Sequence, residues 1–185
     1  MADPSENLSR ASYFAAAMDV LAEEGASGVT IAALCARLQV TKGSFYYHFR
    51  GRSDFVAALL DYWATEHASR LIRISESVED PIKRISVLKN IAVGLPHGAE
   101  AAIRAWSSQD PDVAAVQARV DQSRERHLHD SCLAAGVPDP RAATLATMSL
   151  SLLIGIQQLR RPAAPELVAA VFGELEQLVL GAVLR

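Results

Sequence analysis

Two Asp-Pro pairs, at 80–81 and 110–111, each head a long run that lacks any strand-like pattern, and this punctuation constrains the fold most. Aspartate accepts hydrogen bonds from the free N–H groups at a helix start. Proline suits the first helical position, where no N–H is needed. The other breaks have the same character. Gly25 stops the spacing of Phe14, Met18 and Leu21, Thr30, Thr41 and Ser53 stand where caps are needed, and Pro96–Gly98, Gly136–Pro140 and Pro162–Pro165 part the later runs. Alanine and leucine dominate, whereas the aromatic residues that favour strands make up only 6%. The reading is an all-α chain of about nine helices, with a compact three-helix unit over residues 1–52 and longer helices over 53–185.

Half of the 185 residues are hydrophobic and 21% are charged, which is enough to build a core. The net charge of −3 excludes a polycation, so any nucleic-acid role must come from a local patch. Two cysteines, Cys35 and Cys132, make no disulfide framework. Met1–Arg10 is polar and carries Asp3 and Glu6, unlike a signal peptide, so a cytoplasmic location is expected. Residues 142–159 carry no charge but hold Thr144, Thr147, Ser149, Ser151, Gln157 and Gln158, and are read as a buried helix with no membrane partner. No enzyme and no cofactor is expected. Lys42-Gly43-Ser44 is no phosphate-binding loop, because its lysine precedes the glycine and no strand leads into it. GxGxxG, HExxH and GxSxG are absent.

The segment from Val29 to Arg52 packs two short helices around a brief turn, the sequence form of a helix-turn-helix, with the motif at about 30–49. With Thr41 as cap, Val40 and Phe45 form a hydrophobic staple, and Phe45 and Phe49 share the inward face. A rotation of about 100° per residue puts Gly43 and Tyr47 on the opposite side, flanked by Ser44 and Tyr46. That narrow face suits the major groove: Lys42 can donate to guanine, Ser44 can donate or accept, and Tyr46, Tyr47 and His48 can reach phosphates. The helix starts at Thr30 and Thr41 also offer N–H groups to phosphates. Residues 25–53 hold Arg37, Lys42, Arg50 and Arg52 and no acid, so this window is +4 while the rest of the chain is −7.

Thr30–Arg52 resembles the N-terminal helix-turn-helix of TetR-type transcriptional regulators, most specifically in the run Val40-Thr41-Lys42-Gly43-Ser44-Phe45-Tyr46-Tyr47-His48-Phe49. The likeness covers about a third of the chain, roughly residues 8–60. It implies a homodimer that binds palindromic double-stranded operator DNA, usually as a repressor, and a C-terminal domain whose small ligand releases the DNA. By position it assigns DNA contacts to Thr30, Lys42, Gly43, Ser44, Tyr46, Tyr47, His48 and Arg52. Gln39 departs from the glycine often found there, at a cost on the order of 1 kcal/mol if the position is left-handed. Ala32 and Ala33 replace polar contacts of some members.

The resemblance also implies pairing through the last two long helices. Thr147, Ser151 and Gly155 form a small-residue stripe beside Leu152, and Phe172, Leu175 and Val179 line one side of the last helix, so these seven are the expected dimer interface. A pocket for a hydrophobic or aromatic effector is expected from Tyr62, Trp63, His67, His97, Trp106 and Met148. Asp121, Glu125, His129 and Cys132 share one helical face, which leaves a metal-responsive regulator as an alternative, although an exposed polar face with no bound metal explains them as well. A helical adaptor that no longer binds DNA is the other alternative, and it would not need a cationic, tyrosine-rich Lys42–His48 face.

Overall fold

A computed structural model describes residues 8–160 and 162–183, apart from the side chains at 67, 68 and 71. Asp3 and Glu6 lie outside this range. Helices are α1 (Arg10–Glu24), α2 (Ile31–Leu38), α3 (Lys42–His48), α4 (Arg52–Tyr62), α5 (Arg70–Glu76), α6 (Pro81–Val93), α7 (His97–Ser107), α8 (Pro111–Ala134), α9 (Asp139–Leu159) and α10 (Pro165–Val183). No strand occurs among the described residues. The tally exceeds the expected nine because a wide π turn, Trp63–Ser69, divides the anticipated fourth helix into α4 and α5.

The cap chemistry is largely that of the sequence. Thr30 accepts from the Ala33 amide, Thr41 from the Ser44 amide, and Asp80 and Asp110 each from two amides of the helix that follows. Gly25 takes φ +74° and closes α1 by donating to the Leu21 carbonyl. Ser53 does not cap α4, which begins one residue earlier, at Arg52. Asp54 instead reaches back to accept from the Arg50 amide at 3.0 Å, so the first-turn acid does the capping.

Two apolar clusters organise the molecule. Tyr13, Phe14, Phe45, Phe49, Phe55, Leu59 and Trp63 fill the first, joined by Ile103, Val113 and Val120 from α7 and α8. The rings of Tyr13, Phe14, Phe45, Phe49 and Phe55 meet here, with Tyr13 edge-on to Phe45 and Phe49 at 5.7 and 5.6 Å. The second cluster holds Ile85, Cys132, Ala142, Leu145, Leu153, Phe172 and Leu175. Among the described residues α9 alone is long and apolar enough to cross a membrane. Here it packs against α7, α8 and α10, burying Ala142, Leu145, Ala146, Leu153 and Ile156.

Candidate nucleic-acid interface and internal cavity

The second helix of the motif, α3, stands as its residue pattern requires. Phe45 and Phe49 are buried, while Tyr47 is 85% exposed and Tyr46 55%. Thr41, Lys42 and Gly43 are also exposed. A Cβ at Gly43 would meet only the Thr41 hydroxyl oxygen, at 3.4 Å, an ordinary contact. Nothing inside the chain therefore demands glycine at this helical position, where it is less stable than alanine by roughly 0.5–1 kcal/mol.

Two residues of this face are more tightly held than their types suggest. The Tyr13 hydroxyl donates to Ser44 Oγ at 2.9 Å, so Ser44 is half-buried and tied to α1. His48 is half-buried, its ring 5.6 Å from Tyr13 and 5.0 Å from Tyr47. Thr30 is exposed at the start of α2, and Arg52 is exposed with its Nε donating to the Val29 carbonyl at 3.3 Å. Gln39 is left-handed at φ 56°, and the Val40 amide beside it closes α2 onto the Cys35 carbonyl at 2.9 Å.

The +4 window overstates the charge on offer. Arg37 is paired with Glu23 through both guanidinium nitrogens, and Asp19 lies 3.8 Å away. The hydrogen bonds from Arg37 hold the Glu23 carboxyl below its usual range and raise the guanidinium in turn. The missing cation is supplied from outside the motif. Arg10, exposed in the first turn of α1, sits with its guanidinium 4.7 Å from the Phe49 ring centre and directs Nη1 at the His48 carbonyl. Sequence spacing gave no signal for Arg10, which lies 38 residues from its partner.

An apolar cavity of about 100 Å³ opens between α5, α6, α8, α9 and α10, with walls that include Ile72, Ile85, Leu128, Leu153, Phe172 and Leu175. None of the expected pocket residues with a described side chain lines it. Tyr62 stacks on Phe14 at 4.9 Å, and Trp63 is sealed in the N-terminal core. His97 and Trp106 line a separate open cleft against the end of α1. Met148 is on the outer side of α9, and the side chain of His67 lies outside the described residues. The residues that do line the cavity include Phe172, Leu175 and Val179, which had been expected at a subunit interface. A helix that is apolar around much of its circumference does not announce which side faces inward. The outward side of α10 instead carries Leu167, Glu174 and Leu178. On α9, Thr147 and Ser151 are exposed and Gly155 is half-buried with open space where a Cβ would stand, whereas Leu152 packs on the core.

Behind the cavity, α7 carries a buried acid. Glu100 is 3% exposed and accepts from both Nη groups of Arg124 and from Gln157 Nε2 at 2.9 Å. Burial alone would raise its pKa, but the charge and hydrogen bonds of Arg124 and the bond from Gln157 outweigh this and leave it below the ordinary carboxylate value. Two residues earlier in the chain, α7 touches α1: a Cβ at Gly98 would come within 3.0 Å of the Ala22 Cβ.

The four potential metal ligands of α8 do not converge. Asp121 is held by Arg104, Glu125 accepts from Thr147, and His129 bonds Asp139 at 2.7 Å. Burial pushes the Cys132 thiol up to about 11, the reverse of what a thiolate ligand needs. Among the described residues no group of three or more His, Cys, Asp or Glu could hold a metal ion.

Residues 14–59 match the model of the family described as bacterial regulatory proteins, tetR family. The transcriptional regulator AcuR of Cereibacter sphaeroides is 35% identical over 68 residues, which are 37% of this chain and 31% of AcuR. The matched segment thus spans about a third of that curated relative's length. Over the whole chain the likeness is one of fold. The transcriptional regulator RHA1_ro04179 of Rhodococcus sp. Rha1 superposes with a TM-score of 0.77 at 21% identity, covering 95% of this chain and 98% of that one. A transcriptional regulator of Saccharomonospora viridis in complex with choline does so with 0.74 at 16% identity, covering 91% and 95%.

Proposed function

Because residues 14–59 match the tetR family of bacterial regulatory proteins and the chain shares the fold of solved transcriptional regulators, we propose that it is a ligand-responsive, sequence-specific DNA-binding transcriptional regulator, acting in the cytoplasm as a repressor. The observation that carries this is the α3 face: a helix of seven residues presents Lys42, Gly43, Tyr46 and Tyr47 outward, and its glycine has no internal reason to be there. Residues 1–52 are the DNA-binding unit. Lys42 and Ser44 reach base edges, Gly43 lets the backbone close on the groove, and Thr30, Thr41, Tyr46, Tyr47, His48 and Arg52 meet the sugar-phosphate backbone.

Residues 53–185 bind the effector and a second copy of the chain. The outward stripe of Thr147, Ser151 and Gly155 on α9, beside Leu167 and Leu178 on α10, supports isologous pairing that would space two α3 helices on a palindromic operator. The apolar cavity is the effector site, and a small hydrophobic or aromatic molecule there releases the DNA. Its wall residue Arg124 holds Glu100 of α7, and α7 packs on α1, which gives the site a physical connection to the DNA-binding unit.

Selection from a random duplex pool tests the assignment. Enrichment of one palindrome is expected, with Lys42→Ala weakening its binding by about 1–3 kcal/mol and Tyr47→Ala weakening all sequences alike while the dimer is unchanged. A pool that yields no preferred sequence refutes it.

A further inference from the structure

Each charged side chain in the wall of the cavity already has a partner. Five polar residues reach it: Lys89, Arg124, His127, Ser149 and Glu176. Lys89 Nζ is 2.7 Å from Glu176, whose other oxygen accepts from the Ser86 hydroxyl. Both Nη groups of Arg124 are engaged by Glu100. His127 Nε2 is 2.5 Å from the Ser75 hydroxyl, and the Ser149 hydroxyl donates to the Leu145 carbonyl at 2.7 Å.

We propose that the effector is an uncharged apolar molecule of about one six-membered ring. This rests on the reading of the cavity as the effector site and narrows it to a chemical class. An ionic group placed inside would stay unpaired or would break Lys89–Glu176 or Arg124–Glu100 and strand the other partner. Either outcome leaves a desolvated charge uncompensated, a penalty that weakens binding by about 100-fold or more. Size follows from volume. A dry apolar cavity of roughly 150 Å³ holds a benzene ring. The cavity of about 100 Å³ here therefore takes one ring with small side-chain shifts.

Calorimetry on the full chain without DNA, at pH 7.5, compares three probes that share one ring: toluene, benzoate and benzylammonium. Toluene is expected to bind, and each ion to bind at least about 100-fold more weakly. An ion that binds as well as toluene overturns the proposal, and so does a failure of toluene to bind up to its solubility. Ala92→Leu and Leu150→Phe fill the cavity from two sides, and toluene binding should vanish in whichever variants keep the helical signal. Binding that persists in a folded filled variant places the site elsewhere and overturns the proposal. Glu176→Gln keeps the shape and uncovers the Lys89 ammonium, so benzoate should gain at least tenfold and benzylammonium should not. An unchanged benzoate affinity removes the ion pair as the source of the selectivity and overturns the proposal.

The two readings fail separately. An enriched operator with no toluene binding sinks the effector class alone. Toluene binding with no enriched operator sinks the regulator alone.

Discussion

Tyr13 and Ser44 share a hydrogen bond of 2.9 Å that fastens α3 to α1, so a residue of the outward helix is anchored by a residue of the deepest core. Tyr13→Phe keeps the ring against Phe45 and Phe49 and removes only the donor. The expected loss is about 1 kcal/mol by urea denaturation. Tyr13→Leu, which also empties ring volume, should lose markedly more. Equal losses in the two variants would mean that the hydroxyl carries all of the effect and the ring none.

Gly43→Ala separates folding from binding. The variant should be more stable by about 0.5–1 kcal/mol, because alanine is the better helix former and nothing crowds its methyl group. Operator binding should fall by at least about tenfold, since the methyl stands between the α3 backbone and the groove. Gel shifts at matched salt read the second effect. Unaltered affinity would mean that the backbone does not come close.

Arg10 and Arg37 should behave oppositely although both lie in the N-terminal unit. Arg10→Ala should weaken binding to all sequences alike and lower the steepness of the salt dependence by about one unit. Arg37→Ala should leave that slope nearly unchanged, because Glu23 already satisfies the guanidinium. Titrations at several salt concentrations decide it, and a larger slope change for Arg37 would contradict the charge assignment.

The Glu100–Arg124 pair and His127 have distinct pH signatures. Arg124→Met leaves a buried carboxylate bare and should cost about 3–5 kcal/mol, most of it recovered in the Glu100→Leu, Arg124→Met double variant. Because the folded pKa of Glu100 is depressed, its contribution is complete above the usual carboxylate value and fades only as pH falls below it. His127 is lowered first by burial, with Arg84 adding to the effect and Glu76 and Asp130 opposing it. Its stabilising share is therefore full above 6.5, its ordinary value, and declines as pH drops through that point. Thermal unfolding between pH 8 and 5 should show this decline in the parent chain and not in His127→Gln. A decline that survives the substitution assigns it to another group.

Helix placement was legible because caps are local. Thr30, Thr41, Asp80 and Asp110 act on amides two or three residues away, and a short window contains everything they need. The α3 face was legible for the same reason, since one periodicity sorts Phe45 and Phe49 from Tyr46 and Tyr47. The cavity was not. Its walls come from five helices spread over about a hundred residues, and the aromatic residues that attract attention in the sequence, Tyr62, Trp63 and Trp106, serve the core or an open cleft. Phe172, Leu175 and Val179 were misplaced because both sides of α10 are apolar, and only packing decides which one turns inward. The π turn at Trp63–Ser69 left no mark, since one wide turn costs little within an otherwise helical pattern.

The pairing of Arg37 with Glu23 bears on how portable this module is. A transplant of residues 29–52 onto a foreign scaffold would carry Arg37 without the carboxylate that quiets it, and would leave Arg10 behind. Such a chimera would keep the letters read in the groove yet project a different field toward the phosphates. On the proposed reading, part of the charge that meets the phosphates is thus set by residues outside 29–52.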